Sequence, residues 1–237
     1  MKIHIIRHGD PDYSIDSLTE KGWREAELLS NRIVKMKINE FYASPLGRAQ
    51  DTAKATMEKL NATYEVLPWL HEFAGKVISL YSGKEKVAWD ISPSDWANNE
   101  IYYDKDRCYE TDLMNSGSVL PKQIYEQTKS GIDKLLLKYG YRRDGMLYHT
   151  ECESKKEIAL FCHFGIGSII FAYLTGISPV VAIHNLFMAP TSVTTLVTET
   201  DKNGNAHFRC VQMGDTSHLY IENEPVSESG LYPDFYK

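Results

Sequence analysis

A chain of 237 residues with 43% hydrophobic content is long enough to bury one large core, and a single α/β domain carrying an insertion is ordinary at this size. A formal net charge of −6, a sequence pI near 5.8 and no run of like charges leave no bulk footprint for nucleic acid, so an anionic ligand needs a local basic site. No apolar stretch approaches the roughly 18 residues of a membrane span, no leader-like apolar region precedes the first strand, and Cys108, Cys152, Cys162 and Cys210 lack CxxC spacing, so a cytoplasmic protein with free thiols and no zinc site is expected.

Ile3, Ile5 and Ile6 are β-branched and predict a buried strand over residues 2–6. It runs straight into Arg7-His8-Gly9, a guanidinium beside an imidazole with no packing role. Ligands of open α/β sheets bind outside the carboxyl ends of strands, where this pair would sit. After a loop with Pro11 and Ser14, the residues Trp23, Ala26, Leu29 and Ile33 recur at helical spacing opposite Arg24, Glu25, Glu27 and Arg32. An amphipathic helix within residues 19–37, with Thr19 as N-cap, is expected. Residues 40–43 predict a short strand that stops at Ser44-Pro45, where Ser44 can cap and Pro45 can open a helix running to Leu60. Arg48 falls in that helix's first turn, where the dipole disfavours a cation; an anion shared by the helix N-terminus and the guanidinium would remove the conflict.

Residues 63–67 predict a third strand, which ends in Pro68-Trp69-Leu70-His71-Glu72. Periodicity then fails over residues 74–117, which hold Gly75, Gly83, Pro93 and scattered aromatics including Tyr81, Trp89 and Trp96. This predicts an irregular, partly helical insertion, either a lid over a site or a surface excursion with its own aromatic cluster. A strong helix is expected over residues 119–139 with Gly140 at its end, then a turn-like stretch over 141–153. The continuous apolar run 158–162 suits a central parallel strand buried on both faces, and it ends at His163. Apolar helices follow at 169–174 and 179–187, Asn203-Gly204 signals a hairpin, and residues 222–237 receive no assignment.

Alternating strands and helices predict a three-layer α/β/α sandwich around a mostly parallel sheet. His8 and His163 would then end strands on one edge, with Arg7 and Arg48 beside them, a set suited to a phosphoryl group. At this point the chain resembles the histidine phosphatase superfamily, also called the phosphoglycerate mutase-like family. The hallmark is Arg7-His8-Gly9; Leu18-Thr19-Glu20-Lys21-Gly22, the Ser-Pro-x-x-Arg-Ala-x-x-Thr-Ala run from Ser44 to Ala53, His163-Phe164-Gly165 and Asp215-Thr216-Ser217-His218-Leu219 match further motifs in order. The resemblance implies that His8 attacks phosphorus and becomes a phosphohistidine. It implies that Arg7, Arg48 and His163 hold the equatorial oxygens, with Gly9, Ser14 and Phe164 also at the phosphate, and that Glu72 protonates the leaving group. No metal or cofactor is implied, the partner is a small phosphorylated substrate, and a homodimer remains open.

The chain departs from the family pattern in two places. Phe73-Ala74-Gly75-Lys76-Val77 stands where many members have Gly-x-Trp-Glu-Gly, so Asp95 or Glu100 could replace Glu72 as the acid. Arg7-His8-Gly9-Asp10-Pro11 stands where the mutases read Arg-His-Gly-Glu-Ser, which favours a phosphatase over a phosphoglycerate-type mutase. A non-catalytic phospho-ligand binder is the third reading, disfavoured because both histidines and both arginines are present. A cysteine-phosphatase loop is excluded, since the arginine it needs six positions after Cys162 is Ser168, and Gly165-Ile166-Gly167 has no following Gly-Lys-Ser/Thr. Trp89 and Trp96 are expected to govern selectivity. His4, His71, His184 and His207 are expected to be packing or edge histidines, and His218 structural or peripheral.

Overall fold

The computed structural model describes residues 1–231. In chain order these form β1 (Lys2–Arg7), β2 (Pro11–Asp12), β3 (Ser17–Leu18), α1 (Glu20–Ile33), β4 (Glu40–Ala43), α2 (Gly47–Leu60), β5 (Glu65–Val66), β6 (Lys76–Ile78), β7 (Glu85–Val87), α3 (Pro93–Trp96), α4 (Pro121–Leu137), β8 (Arg142–Asp144), β9 (Leu147–His149), β10 (Glu157–Cys162), α5 (Phe164–Thr175), α6 (Pro179–Asn185), β11 (Val193–Thr200), β12 (Asn205–Asp215) and α7 (Ser217–Ile221). An eight-stranded sheet takes the order β5-β4-β10-β1-β11-β12-β9-β8. From β5 to β1 neighbours are parallel, and from β1 onward they are antiparallel.

The sheet expected to be mostly parallel is therefore mixed, parallel only in the half that carries Arg7 and His163. Short connections force two of the antiparallel pairs: the turn at Asn203-Gly204 makes β11 and β12 a hairpin, and Gly145, with φ +56°, closes a β8–β9 hairpin in a stretch expected to be turn alone. The third strand is also shorter than residues 63–67. Only Glu65–Val66 pair, both exposed on the sheet edge.

Period-two alternation divides the core. Ile3, Ile5, Ile158, Leu160 and Cys162 join the cluster that contains Ile132 and Leu136 of α4, Ile169 and Ile170 of α5, and Val180 of α6. Ile6, Ala159 and Phe161 face the other way, onto Leu29 and Ile33 of α1 and Ala53 and Met57 of α2. Helices thus cover both faces, as expected for an α/β/α sandwich. The insertion shares the larger cluster through Val77, Ala88, Trp96, Tyr102 and Leu113, so it packs on the main core rather than forming a separate one. None of the helices among the described residues is long and apolar enough to cross a membrane.

Two helix readings change. In α1, Trp23 is 39% exposed while Glu25 is fully buried, because Glu25 Oε2 accepts the Asp10 N–H at 2.8 Å and Lys21 lies 3.4 Å from its other oxygen. Helix α2 starts at Gly47, with Leu46 in the N-cap position and no side-chain cap, not at Pro45 behind Ser44. The Ser44 hydroxyl accepts the Leu46 N–H at 3.2 Å and also meets His163.

Candidate active site

Parallel strands deliver their carboxyl ends to one edge. The His8 N–H donates to Cys162 O at 2.9 Å, and the Ser44 N–H donates to Phe161 O at 2.9 Å, which ties the ends of β1, β10 and β4 together. His163 follows β10 as the N-cap residue of α5, Arg48 lies in the first turn of α2 after β4, and Glu72 follows β5.

His8 is buried, and its Nδ1 lies 2.7 Å from Gly9 O. A carbonyl only accepts, so Nδ1 carries the proton and Nε2 carries the lone pair. Burial, reinforced by Arg7 and Arg48 and opposed by the Gly9 carbonyl, drives His8 well below the ordinary imidazole range. The His163 ring lies 5.0 Å away between centroids. Burial holds it well below its ordinary value too, with His8 and Arg48 adding to the effect. His163 Nε2 is 2.7 Å from Ser44 Oγ, which also accepts the Leu46 N–H at 3.2 Å. With the serine hydrogen directed to Nε2, the ring proton sits on Nδ1, which is buried and has no partner.

The two guanidiniums are pinned by their outer nitrogens. Arg7 donates from Nη1 to Met188 O at 2.8 Å and from Nη2 to Ser229 O at 2.9 Å, and it lies over the rings of Phe164 and Phe187 at 5.6 and 5.7 Å. Arg48 donates from Nη1 to Asp16 Oδ1 at 2.5 Å, with Tyr13 5.4 Å from Cζ. With His163 in that tautomer, Arg7 Nε, Arg48 Nε and His163 Nδ1 are three buried donors without partners in the neighbourhood of His8. The anion expected at the N-terminus of α2 is supplied by the chain itself, as the Asp16 carboxylate.

Gly9 meets a close-approach requirement: a Cβ there would fall 2.8 Å from Gly22 O in α1, and its N–H donates to Thr52 Oγ1 at 2.9 Å. Glu72 Oε1 accepts from the N–H groups of Phe73 at 2.7 Å and Ile166 at 3.1 Å, the second at the start of α5. Burial pushes its carboxyl up, against those N–H groups and Arg7, which pull it down; the net direction is upward. Gly165 permits this seat, since a Cβ there would lie 2.8 Å from Glu72 Oε1 and 2.9 Å from Trp89 Cζ3.

Arg7, His8, Gly9, Arg48, Glu72, His163 and Phe164 are therefore brought together, and Ser14 is not. Ser14 is exposed, with its N–H and hydroxyl both on Asp12 Oδ1 at 2.9 and 2.6 Å, an Asx turn. Asp95, in α3, and Glu100, exposed on the following turn, hydrogen-bond to none of these residues. Trp89 reaches the site at Gly165 and packs on Phe73 at 6.1 Å, whereas Trp96 is buried against His184 at 4.9 Å. His71 is exposed rather than packed, with Nδ1 3.1 Å from Glu72 O. Asp16 and Ser229 are additions that sequence patterns did not single out, and Ser44, read from the sequence as a helix cap, also meets His163; only Arg48's place in a helix's first turn hinted at Asp16. Of the unassigned tail, Ser227 bonds Asp10 and Ser229 bonds Arg7, while residues 232–237 lie outside the described residues. Among the described residues, none of the side-chain groupings places three or more His, Cys, Asp or Glu to hold a metal ion.

The fold and this cluster are those of an α/β protein similar to the histidine phosphatase superfamily: residues 3–111 match the family model described as "Histidine phosphatase superfamily (branch 1)". A 2,3-bisphosphoglycerate-dependent phosphoglycerate mutase of Thermoplasma acidophilum is 39% identical over 72 residues, 26% of this chain and 36% of that enzyme, so the match spans about a third of the relative. Among solved structures, a phosphoserine phosphatase mutant from Entamoeba histolytica, in complex with phosphoserine, superposes with TM-score 0.59 at 16% identity over 92% of this chain and 98% of that one. A mycobacterial glucosyl-3-phosphoglycerate phosphatase gives 0.58 at 17% identity over 90% and 98%, and an alpha-ribazole phosphatase from Shigella flexneri gives 0.57 at 16% over 91% and 97%. At these identities the likeness is one of fold.

Proposed function

We propose that the protein is a phosphomonoester phosphatase acting through a phosphohistidine on His8, in the cytoplasm, on a small phosphorylated substrate. The observation that carries the reading is the trio of unpartnered buried donors, Arg7 Nε, Arg48 Nε and His163 Nδ1, around an imidazole whose Nε2 holds a lone pair. Such donors are costly to bury unless an anion takes them. In the proposed reaction His8 Nε2 attacks phosphorus in line while the bond to the leaving oxygen breaks. The three donors take the equatorial oxygens as charge spreads over them. The N–H groups of Phe73 and Ile166 both donate to Glu72 Oε1, and Oε2 carries the proton that the leaving alkoxide takes. The resulting Glu72 carboxylate then removes a proton from water, which attacks the phosphohistidine, releases inorganic phosphate and restores His8. The three solved structures named above are each called a phosphatase, which supports this reading.

A phosphoglycerate-type mutase is the second reading, favoured by the 39% identity to the Thermoplasma enzyme. It would return the phosphoryl group to a second hydroxyl of the substrate and release little phosphate. One experiment separates the two: the protein and His8→Ala are incubated with a panel of phosphate esters, and both free phosphate and isomerised ester are measured. Phosphate release that His8→Ala abolishes is expected. Equal release by both proteins would remove the catalytic assignment, and isomerisation without release would select the mutase.

A further inference from the structure

We propose that Asp16 is a positioning residue for Arg48, holding the guanidinium by Nη1 so that its Nε–Nη2 edge is the one presented to the phosphoryl group. The inference rests on the phosphatase reading above. Arg48 sits in the first turn of α2, where the helix dipole repels a cation and the first N–H groups lack helical partners. One carboxylate answers both conditions. Asp16 Oδ2 accepts the Gly47 N–H at 2.8 Å, and Oδ1 accepts from Arg48 Nη1 at 2.5 Å.

The surrounding loop is shaped for this contact. Asp16 has φ +50°, a left-handed conformation that Asp adopts more readily than most residues, and a Cβ on Gly47 would fall 2.3 Å from Asp16 O. Tyr13, from the same loop, lies over the guanidinium at 5.4 Å from Cζ. With Nη1 held and one face covered, the fork keeps a single bidentate edge, and the buried, unpartnered Nε belongs to it. Arg7 needs no such carboxylate, because two backbone carbonyls hold both of its outer nitrogens.

Without Asp16 the Arg48 fork loses its fixed orientation, and a displacement near 1 Å at a reacting centre costs about 100-fold. The test measures kcat and KM on a phosphate ester, and orthovanadate affinity by calorimetric titration, for wild type, Asp16→Ala, Asp16→Asn, Arg48→Lys and Asp16→Ala/Arg48→Lys. Melting temperatures verify that each variant folds, and Asp16→Ser replaces Asp16→Ala should the latter fail. Asp16→Ala is expected to lower kcat by about 10- to 100-fold and to weaken vanadate. Asp16→Asn, which keeps an acceptor oxygen for Nη1, recovers most of the loss. In the Arg48→Lys background, where no fork exists, removing Asp16 costs nothing further. An unchanged kcat, losses that multiply with Arg48→Lys, or tighter vanadate binding in Asp16→Ala would each overturn the proposal, the last by showing that the carboxylate competes with the anion. Failure of the phosphatase reading is seen separately, as absence of His8-dependent phosphate release by wild type, while vanadate affinity still reports on Asp16.

Discussion

The rings of His8 and His163 lie 5.0 Å apart and tilted by 58°, and each is buried. With Arg7 and Arg48 close by, a proton on either ring adds a third positive charge in a desolvated space, so both imidazoles are neutral near neutral pH. Neutrality suits two different tasks. His8 with its proton on Nδ1 presents a lone pair, and His163 with its proton on Nδ1 presents a donor.

The pH dependence follows from the shifts of His8, downward, and Glu72, upward. The reaction needs neutral His8 and protonated Glu72. Activity is therefore retained on the acid side until His8 protonates, and lost as rising pH ionises Glu72. In Glu72→Gln the alkaline limb should vanish and kcat on an alkyl phosphate should fall by about 10²- to 10⁴-fold. An alkaline limb that persists in Glu72→Gln would assign the titration to another group.

Gly165→Ala places a methyl group 2.8 Å from Glu72 Oε1 and 3.0 Å from Phe73 Cβ. Overpacking of this kind costs about 1–3 kcal/mol of stability. Because the displaced group is the proposed acid, alkyl esters should suffer more than aryl esters, whose leaving groups need no proton. Equal losses on both would detach Gly165 from the acid.

The two tryptophans of the insertion should separate. Trp89 meets Gly165 and Phe73 beside the site, so Trp89→Ala is expected to reorder a panel of esters while leaving the fold intact. Trp96 is buried on His184 and Tyr103, so Trp96→Ala is expected to destabilise by about 3–5 kcal/mol. Melting curves and substrate ranking on both variants check the division, and an unchanged ranking in Trp89→Ala would remove the insertion from selectivity.

Acid should destabilise the fold through His184 and His218, which burial lowers from 6.5 to about 4. A folded value below the unfolded one means that the contribution is complete above about pH 6.5 and is lost as pH falls towards 4. Melting temperature measured down this range should fall in wild type and fall less steeply in His184→Gln/His218→Gln. Parallel curves would shift the effect to other groups.

Local physics made much of this legible in the amino-acid sequence. Alternating β-branched residues in β1 and the apolar run before His163 follow from the two-residue period of a strand, and the seams of α1, α2 and α4 follow from the 3.6-residue period of a helix. Arg7-His8, His163 and Arg48 stood out because each falls where a strand or helix begins or ends, whereas Glu72 was marked only by the resemblance to the family. What tertiary structure alone decided depends on contacts between distant segments. The burial of Glu25 required the Asp10 backbone, the place of Trp96 required His184, and the grip on Arg7 required the carbonyl of Ser229, 222 residues away. Asp16 is the clearest instance: an unremarked loop carboxylate that becomes the partner of Arg48 only when Gly47 lets two backbones approach, a condition no local periodicity encodes.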